Sequence, residues 1–205
     1  RVYGTVVNMP ATYLEPGVVV VHATPNLGVL DSGRYPEGID EISERVTGDL
    51  NAGGFLAEPD AQVMRRKYSK LLTNLGNATA VVCGPDEHAR ELQQALMAEA
   101  VACYEAVNID WMPPPELETR RAEAIHSETI PGRPPREGSS SWQSMLRDTG
   151  SSEVDFLNGE IVLLGALYGV PTPLNSAIQQ MANECSHGQR EARSTSSADV
   201  LAIAR

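Results

Sequence analysis

Four polar residues recur at helical spacing between positions 64 and 77. Lys67, Lys70, Asn74 and Asn77 fall on one side, while Met64, Tyr68, Leu71, Leu72 and Leu75 cover much of the rest. A lysine ammonium can give up a proton or hold an oxyanion, and amides on the following turns can bind a carboxylate, hydroxyl or carbonyl. A buried amide without a partner costs about 1 to 3 kcal/mol, so such a stripe belongs against a polar ligand or in water. Solvated lysines and asparagines produce the same spacing, and this helix alone leaves both readings open.

Other chemistry is thinly represented. The sequence contains no Gly-x-Gly-x-x-Gly turn, no Walker lysine loop, no His-Glu-x-x-His pair and no nucleophile elbow. His22, His88, His126 and His187 are scattered without ligand or triad spacing. Ser144 and Asp148 stand one helical turn apart; with no adjacent base, Ser144 reads as a hydrogen-bond donor to a carboxylate rather than a nucleophile. Cys83, Cys103 and Cys185 are odd in number and lack CxxC spacing, so neither a disulfide framework nor a metal site is indicated.

A formal charge of -11 over 205 residues argues against nucleic acid as a partner, because that affinity rests on neutralising phosphates. No apolar run approaches the roughly 20 residues that span a bilayer, and no leader opens the chain. The expectation is a soluble, reduced, cytoplasmic protein without a membrane partner.

The elements that must position the stripe follow from pattern. Short β-branched runs at residues 4–9, 17–23 and 26–30 are spaced too tightly for parallel crossovers and predict an antiparallel meander. A helix from Pro36 to about Leu50 carries Ile39, Ile42, Val46 and Leu50 on one face, and Phe55-Leu-Ala57 offers a last strand. Pro59-Asp60 opens the long helix that bears Lys70, with Gly76 inside it as a packing notch or, less in keeping with the pattern, a point of close approach for a ligand or another helix. Gly84-Pro85 ends that segment, and a helix then runs to about Val107 with Leu92, Ala95, Leu96, Val101 and Ala102 inward. Another reaches from Pro115 toward Ile130. Breakers fill residues 131–138, a helix runs from Ser141 through Arg147, and a buried one from Val154 stops at Gly169 and Pro171. Pro173 starts the last helix, and the tail from Cys185 reads as frayed.

Residues 68–77, Ser144-Met-Leu-Arg-Asp148, Ser152-Glu-Val-Asp-Phe-Leu-Asn-Gly159 and Gly169-Val-Pro-Thr-Pro-Leu-Asn175 together resemble the ketopantoate reductase (2-dehydropantoate 2-reductase) family, over about Arg1 to Glu184. The resemblance implies an α+β, mostly α, fold. Residues 1–58 would be the closing strands of a Rossmann-type nucleotide-binding domain, 59–184 an all-helical substrate and dimerisation domain like that of 6-phosphogluconate dehydrogenase, and 185–205 a tail. It implies NADPH-dependent reduction of 2-dehydropantoate to pantoate, with Lys70 as general acid. Asn74, Asn77, Ser144 and Asp148 would bind the keto acid, and Glu153 would sit at the cofactor.

Ala78 stands where the family often has a second asparagine, with Asn77 one residue earlier. The family's glycine turn and a substrate-side asparagine would precede Arg1, so the chain as it stands should bind NADPH poorly. A homodimer through the helical domain is also implied. Two other readings stay open: reduction of a different keto acid, and a catalytically silent remnant that only dimerises or scaffolds.

Overall fold

The computed structural model describes residues 1–133, 141–142 and 153–204. The chain divides into two compact units, residues 1–70 with 110–136 and residues 71–109 with 137–205.

In the first unit, Tyr3–Asn8 (β1) buries Gly4 and Val6 and pairs antiparallel with Val29–Arg34 (β5), in a register running from Tyr3 opposite Arg34 to Asn8 opposite Val29. Ala11–Glu15 (β2) and Val18–Val21 (β3) form a hairpin whose turn needs the left-handed backbone of Gly17, φ 82°. Ala23–Pro25 (β4) pairs with Ile125–Ser127 (β6). Among the described residues these strand pairings are all antiparallel, as expected. Tight spacing accounts only for β2 with β3; the other two pairs are far enough apart in the chain for a crossover. The arrangement is not a simple meander, because the hairpin is nested between β1 and its partner β5. The last strand expected at residues 55–57 is only a parallel bridge of Leu56 to Val29, followed by one of Pro59 to Ser32.

The helix Glu41–Ala52 (α1) corrects its sequence reading. Asp40 and Ser43 form a capping box at its start, yet the buried residues are Ser43 and Thr47, while Ile39, Ile42 and Val46 are exposed. Both hydroxyls are satisfied locally: Ser43 Oγ donates to Asp40 O at 2.7 Å, and Thr47 Oγ1 to Ser43 O at 3.0 Å. Burying them is therefore cheap. Pro114–Ala124 (α5) also departs from expectation, ending at Ala124 instead of running toward Ile130. The next residues are needed as β6: Ile125 is buried in extended conformation, and Asn26 Nδ2 donates to the Ala124 carbonyl at 2.8 Å.

Val63–Asn74 (α2) starts in the first unit and ends in the second. The single long helix expected through Gly76 is broken: Leu75–Asn77 tightens to a 3-10 turn, and Thr79–Val82 (α3) resumes. A Cβ on Gly76 would lie 3.1 Å from Gln93 Cδ, so the glycine does serve packing. Ala89–Ala106 (α4) buries Leu92, Leu96, Ala100, Cys103 and Tyr104; Val101 and Ala102, expected inward, are partly buried and exposed.

Asn158–Tyr168 (α6) stops at left-handed Gly169, φ 73°, and Pro173–Ser186 (α7) begins on its proline, both where the sequence signals put them. The tail expected to fray is instead folded. Ser196 and Asp199 form a capping box for Ser197–Leu201 (α8), Val200 is fully buried, Arg193 N donates to Val81 O at 2.9 Å, and the Arg193 guanidinium stacks 3.6 Å above the Trp142 ring. Cys83, Cys103 and Cys185 are free and buried. Among the described residues, no helix is long and apolar enough to cross a membrane.

Candidate functional site

The stripe survives folding in altered form. Lys67, Lys70 and Asn74 lie on α2 and Asn77 on the 3-10 turn that follows, all four partly buried. Lys70 and Asn74 occupy successive turns of one helix. Lys67 is engaged with the first strand. Its Nζ donates to Thr5 O at 3.3 Å, and its stem crosses β1 where a Cβ on Gly4 would come within 3.0 Å of Lys67 Cδ.

Within the first unit the start of α2 is held by charge. Asp31 on β5 is buried with its side chain 3% exposed. Its carboxylate accepts from Arg66 Nη1 at 3.2 Å, from Arg120 Nε and Nη2 at 2.6 Å each, and from Glu58 N at 3.0 Å. Arg66 Nε also lies 2.7 Å from Asp60 Oδ2, and Arg120 Nη2 3.1 Å from Glu58 Oε2. The Asp31 hydrogen bonds hold the Arg120 guanidinium above its ordinary pKa, against the opposing effect of burial.

Within the second unit, Glu153 is exposed on the 3-10 turn Glu153–Phe156. The turn is fastened by Asp155, whose Oδ1 accepts from Gln179 Nε2 and Asn183 Nδ2, both at 2.8 Å. Those two hydrogen bonds hold the Asp155 carboxyl below its ordinary pKa. Behind the turn, buried Asn158 donates to Leu75 O and to Asn175 Oδ1. Asn175 Nδ2 in turn donates to Leu96 O and Glu99 Oε2. Glu99 also accepts from the Leu174 and Asn175 amides at 2.9 and 3.0 Å, satisfying two of the free N–H groups at the start of α7. Ser144 and Asp148 lie outside the described residues.

Sequence reading missed Asp31, Asp155 and Glu99 as anchors. A lone acid inside a strand is an uncommon choice and marks Asp31 as unusual. Nothing local marks the other two.

Residues 62–186 match the family model described as ketopantoate reductase PanE/ApbA C terminal. The chain belongs to this family. No curated protein matches it. Among solved structures it is similar to a PanE/ApbA family ketopantoate reductase from Ralstonia eutropha JMP134, at 24% identity over 91% of this chain and 60% of that one, TM-score 0.69. A D-mandelate dehydrogenase with NADH and anilino(oxo)acetate aligns at 18% identity over 92% and 61%, TM-score 0.71. A dimeric ketopantoate reductase from Staphylococcus aureus aligns at 16% over 92% and 63%, TM-score 0.62. The chain thus spans about 60% of the length of these structures. At such identities the likeness is one of fold, and it agrees with the mostly helical ketopantoate reductase architecture of the chain. The family takes its name from a reductase, and the D-mandelate dehydrogenase structure holds NADH.

Proposed function

We propose that this chain supplies the proton-donating and substrate-binding part of an NADPH-dependent reductase that converts 2-dehydropantoate to pantoate. Residues 1–58 would close a nucleotide-binding domain, residues 59–184 form the substrate and dimerisation domain, and residues 185–205 follow as a C-terminal segment. The observation that carries the reading is the family match over residues 62–186, with Lys70 and Asn74 on successive turns of α2.

Reduction adds a hydride to the ketone carbon, and the carbonyl π electrons move onto oxygen. The Lys70 ammonium donates the proton that this oxygen takes up, leaving a neutral amine and an alcohol. Asn74 holds the keto acid from the next turn, with Asn77, Ser144 and Asp148 as its further contacts. A nicotinamide cofactor supplies the hydride when bound. The fit for that group is partial: exposed Glu153 suits a ribose hydroxyl, while the sequence has no glycine turn to cradle the phosphates. Replacing Lys70 with Ala in the complete protein should lower keto acid turnover by about 100-fold or more, followed by nicotinamide absorbance. Unchanged turnover would overturn the assignment.

A second reading has an observation of its own. The likeness to D-mandelate dehydrogenase, in a structure that holds anilino(oxo)acetate, supports a different 2-keto acid as substrate. A panel of keto acids with aliphatic and aromatic side chains, ranked by kcat/KM, separates the two.

A homodimer is proposed as well. The family relative from Staphylococcus aureus is dimeric, and in the second unit Phe156, Leu163, Leu167 and Tyr168 on and beside α6 are exposed, Phe156 by 81%. Replacing Leu163 and Leu167 with Asp should yield monomer by light scattering; an unchanged mass overturns this face as the dimer contact.

A further inference from the structure

We propose that Arg66, clamped between Asp31 and Asp60, is a positioning residue for Lys70, a role that rests on Lys70 being the proton donor. Lys70 lies four residues beyond Arg66 on α2, so their Cβ atoms are neighbours at about 5 to 6 Å and share a helix face. Whatever fixes Arg66 therefore fixes the turn from which the Lys70 side chain departs.

Four residues of this stretch are tied to the first unit. Arg65 pairs with Asp110 at 2.7 Å, Lys67 donates to Thr5 O, and the Ser69 hydroxyl donates to the Met112 carbonyl. The Arg66 tie differs in the burial of its partners. The Asp31 and Asp60 side chains are 3% and 15% exposed, against 70% for Asp110. An exposed carboxylate holds a cation loosely, whereas carboxylates withdrawn from water hold it more tightly.

The anchors are themselves rigid. Asp31 sits on β5 and accepts the Glu58 amide, and the backbone at Asp60 lies so close to β5 that a Cβ on Gly33 would fall 1.9 Å from Asp60 O. Proton transfer needs the donor nitrogen at hydrogen-bond distance from the ketone oxygen, and an offset of about 1 Å can cost on the order of 100-fold in rate. Freeing α2 at Arg66 should accordingly act on kcat rather than on cofactor binding.

The test compares Arg66→Met with Arg120→Met and Lys70→Ala in the complete protein, measuring Tm, kcat and the KM for the nicotinamide cofactor. Arg120→Met removes the two shortest contacts of Asp31 but leaves Arg66 paired, so it controls for stability. The expected result is a 10- to 100-fold lower kcat for Arg66→Met with cofactor KM within about threefold of wild type. Arg120→Met should lose at least as much Tm and keep kcat within about threefold. If Arg66→Met does not fold, Arg66→Lys decides, keeping the charge but losing the fork; it should melt near wild type and still show a reduced kcat. Wild-type kcat in the folded Arg66 variant, or equal kcat losses in Arg66→Met and Arg120→Met, overturns the proposal while an inactive Lys70→Ala leaves the acid assignment standing. Full turnover in Lys70→Ala overturns both.

Discussion

Arg120 grips Asp31 side-on, Nε to Oδ2 and Nη2 to Oδ1 at 2.6 Å each, joining α5 to β5 across 89 residues of chain. The pair is buried on the carboxylate side, and Arg66 shares the same acid. Removing the acid leaves two guanidinium groups with weaker partners. Asp31→Ala is expected to lose about 3 to 5 kcal/mol of stability, read from the urea midpoint at constant m-value. A loss below about 1 kcal/mol would mean the arginines find equal partners elsewhere.

Asp155 makes stability depend on acid. Its hydrogen bonds from Gln179 and Asn183 hold the folded pKa below the ordinary aspartate value, despite some opposing desolvation. A group depressed in the folded state contributes stability above its unfolded pKa, near 3.9, and loses it as pH falls through the folded one. Wild type should therefore melt above Asp155→Asn at pH 7, with the gap closing below about pH 4. A gap that stays constant down to pH 3 would remove the carboxylate from the explanation.

Glycines at close approach should separate from a glycine in open space. A Cβ on Gly33 would meet Asp60 O at 1.9 Å, and one on Gly165 would meet Val170 O at 2.5 Å, both backbone atoms that cannot swing aside. Gly33→Ala and Gly165→Ala should each lose about 1 to 3 kcal/mol. Gly48, exposed on α1 with nothing near its would-be Cβ, should gain about 0.5 to 1 kcal/mol as Ala. Thermal melts of the three variants check the ranking.

The C-terminal segment is held by one carboxylate of the second unit. Asp86 Oδ2 accepts the Ser197 amide at 2.7 Å, and that hydrogen bond holds the Asp86 carboxyl below its usual range. Asp86→Ala should loosen the segment and speed proteolysis near residues 186–196, while the rest of the unit stays protected. Cleavage rates equal to wild type would assign the anchoring to Arg193 and Val200 instead.

The amino-acid sequence by itself determined what is written within a turn or two of chain. Gly169 and Pro173 end one helix and begin the next because a left-handed stop and a donor-free start are properties of those residues alone. The antiparallel β2–β3 hairpin follows from a connection too short for a crossover, and the Lys70–Asn74 spacing within its surrounding motif was enough to indicate the family.

Tertiary structure decided what depends on partners distant in sequence. α1 turns Ser43 and Thr47 inward and Ile42 outward because local hydrogen bonds satisfy the hydroxyls, which apolar periodicity cannot register. Ile125 leaves a helix-like pattern to pair with Pro25 on β4, far back along the chain, and Gln93 presses on Gly76 where α2 tightens. The Asp31, Arg66 and Arg120 cluster joins residues that share no periodicity. Its members meet only because the first unit closes around them, and burial then makes their charges hold one another.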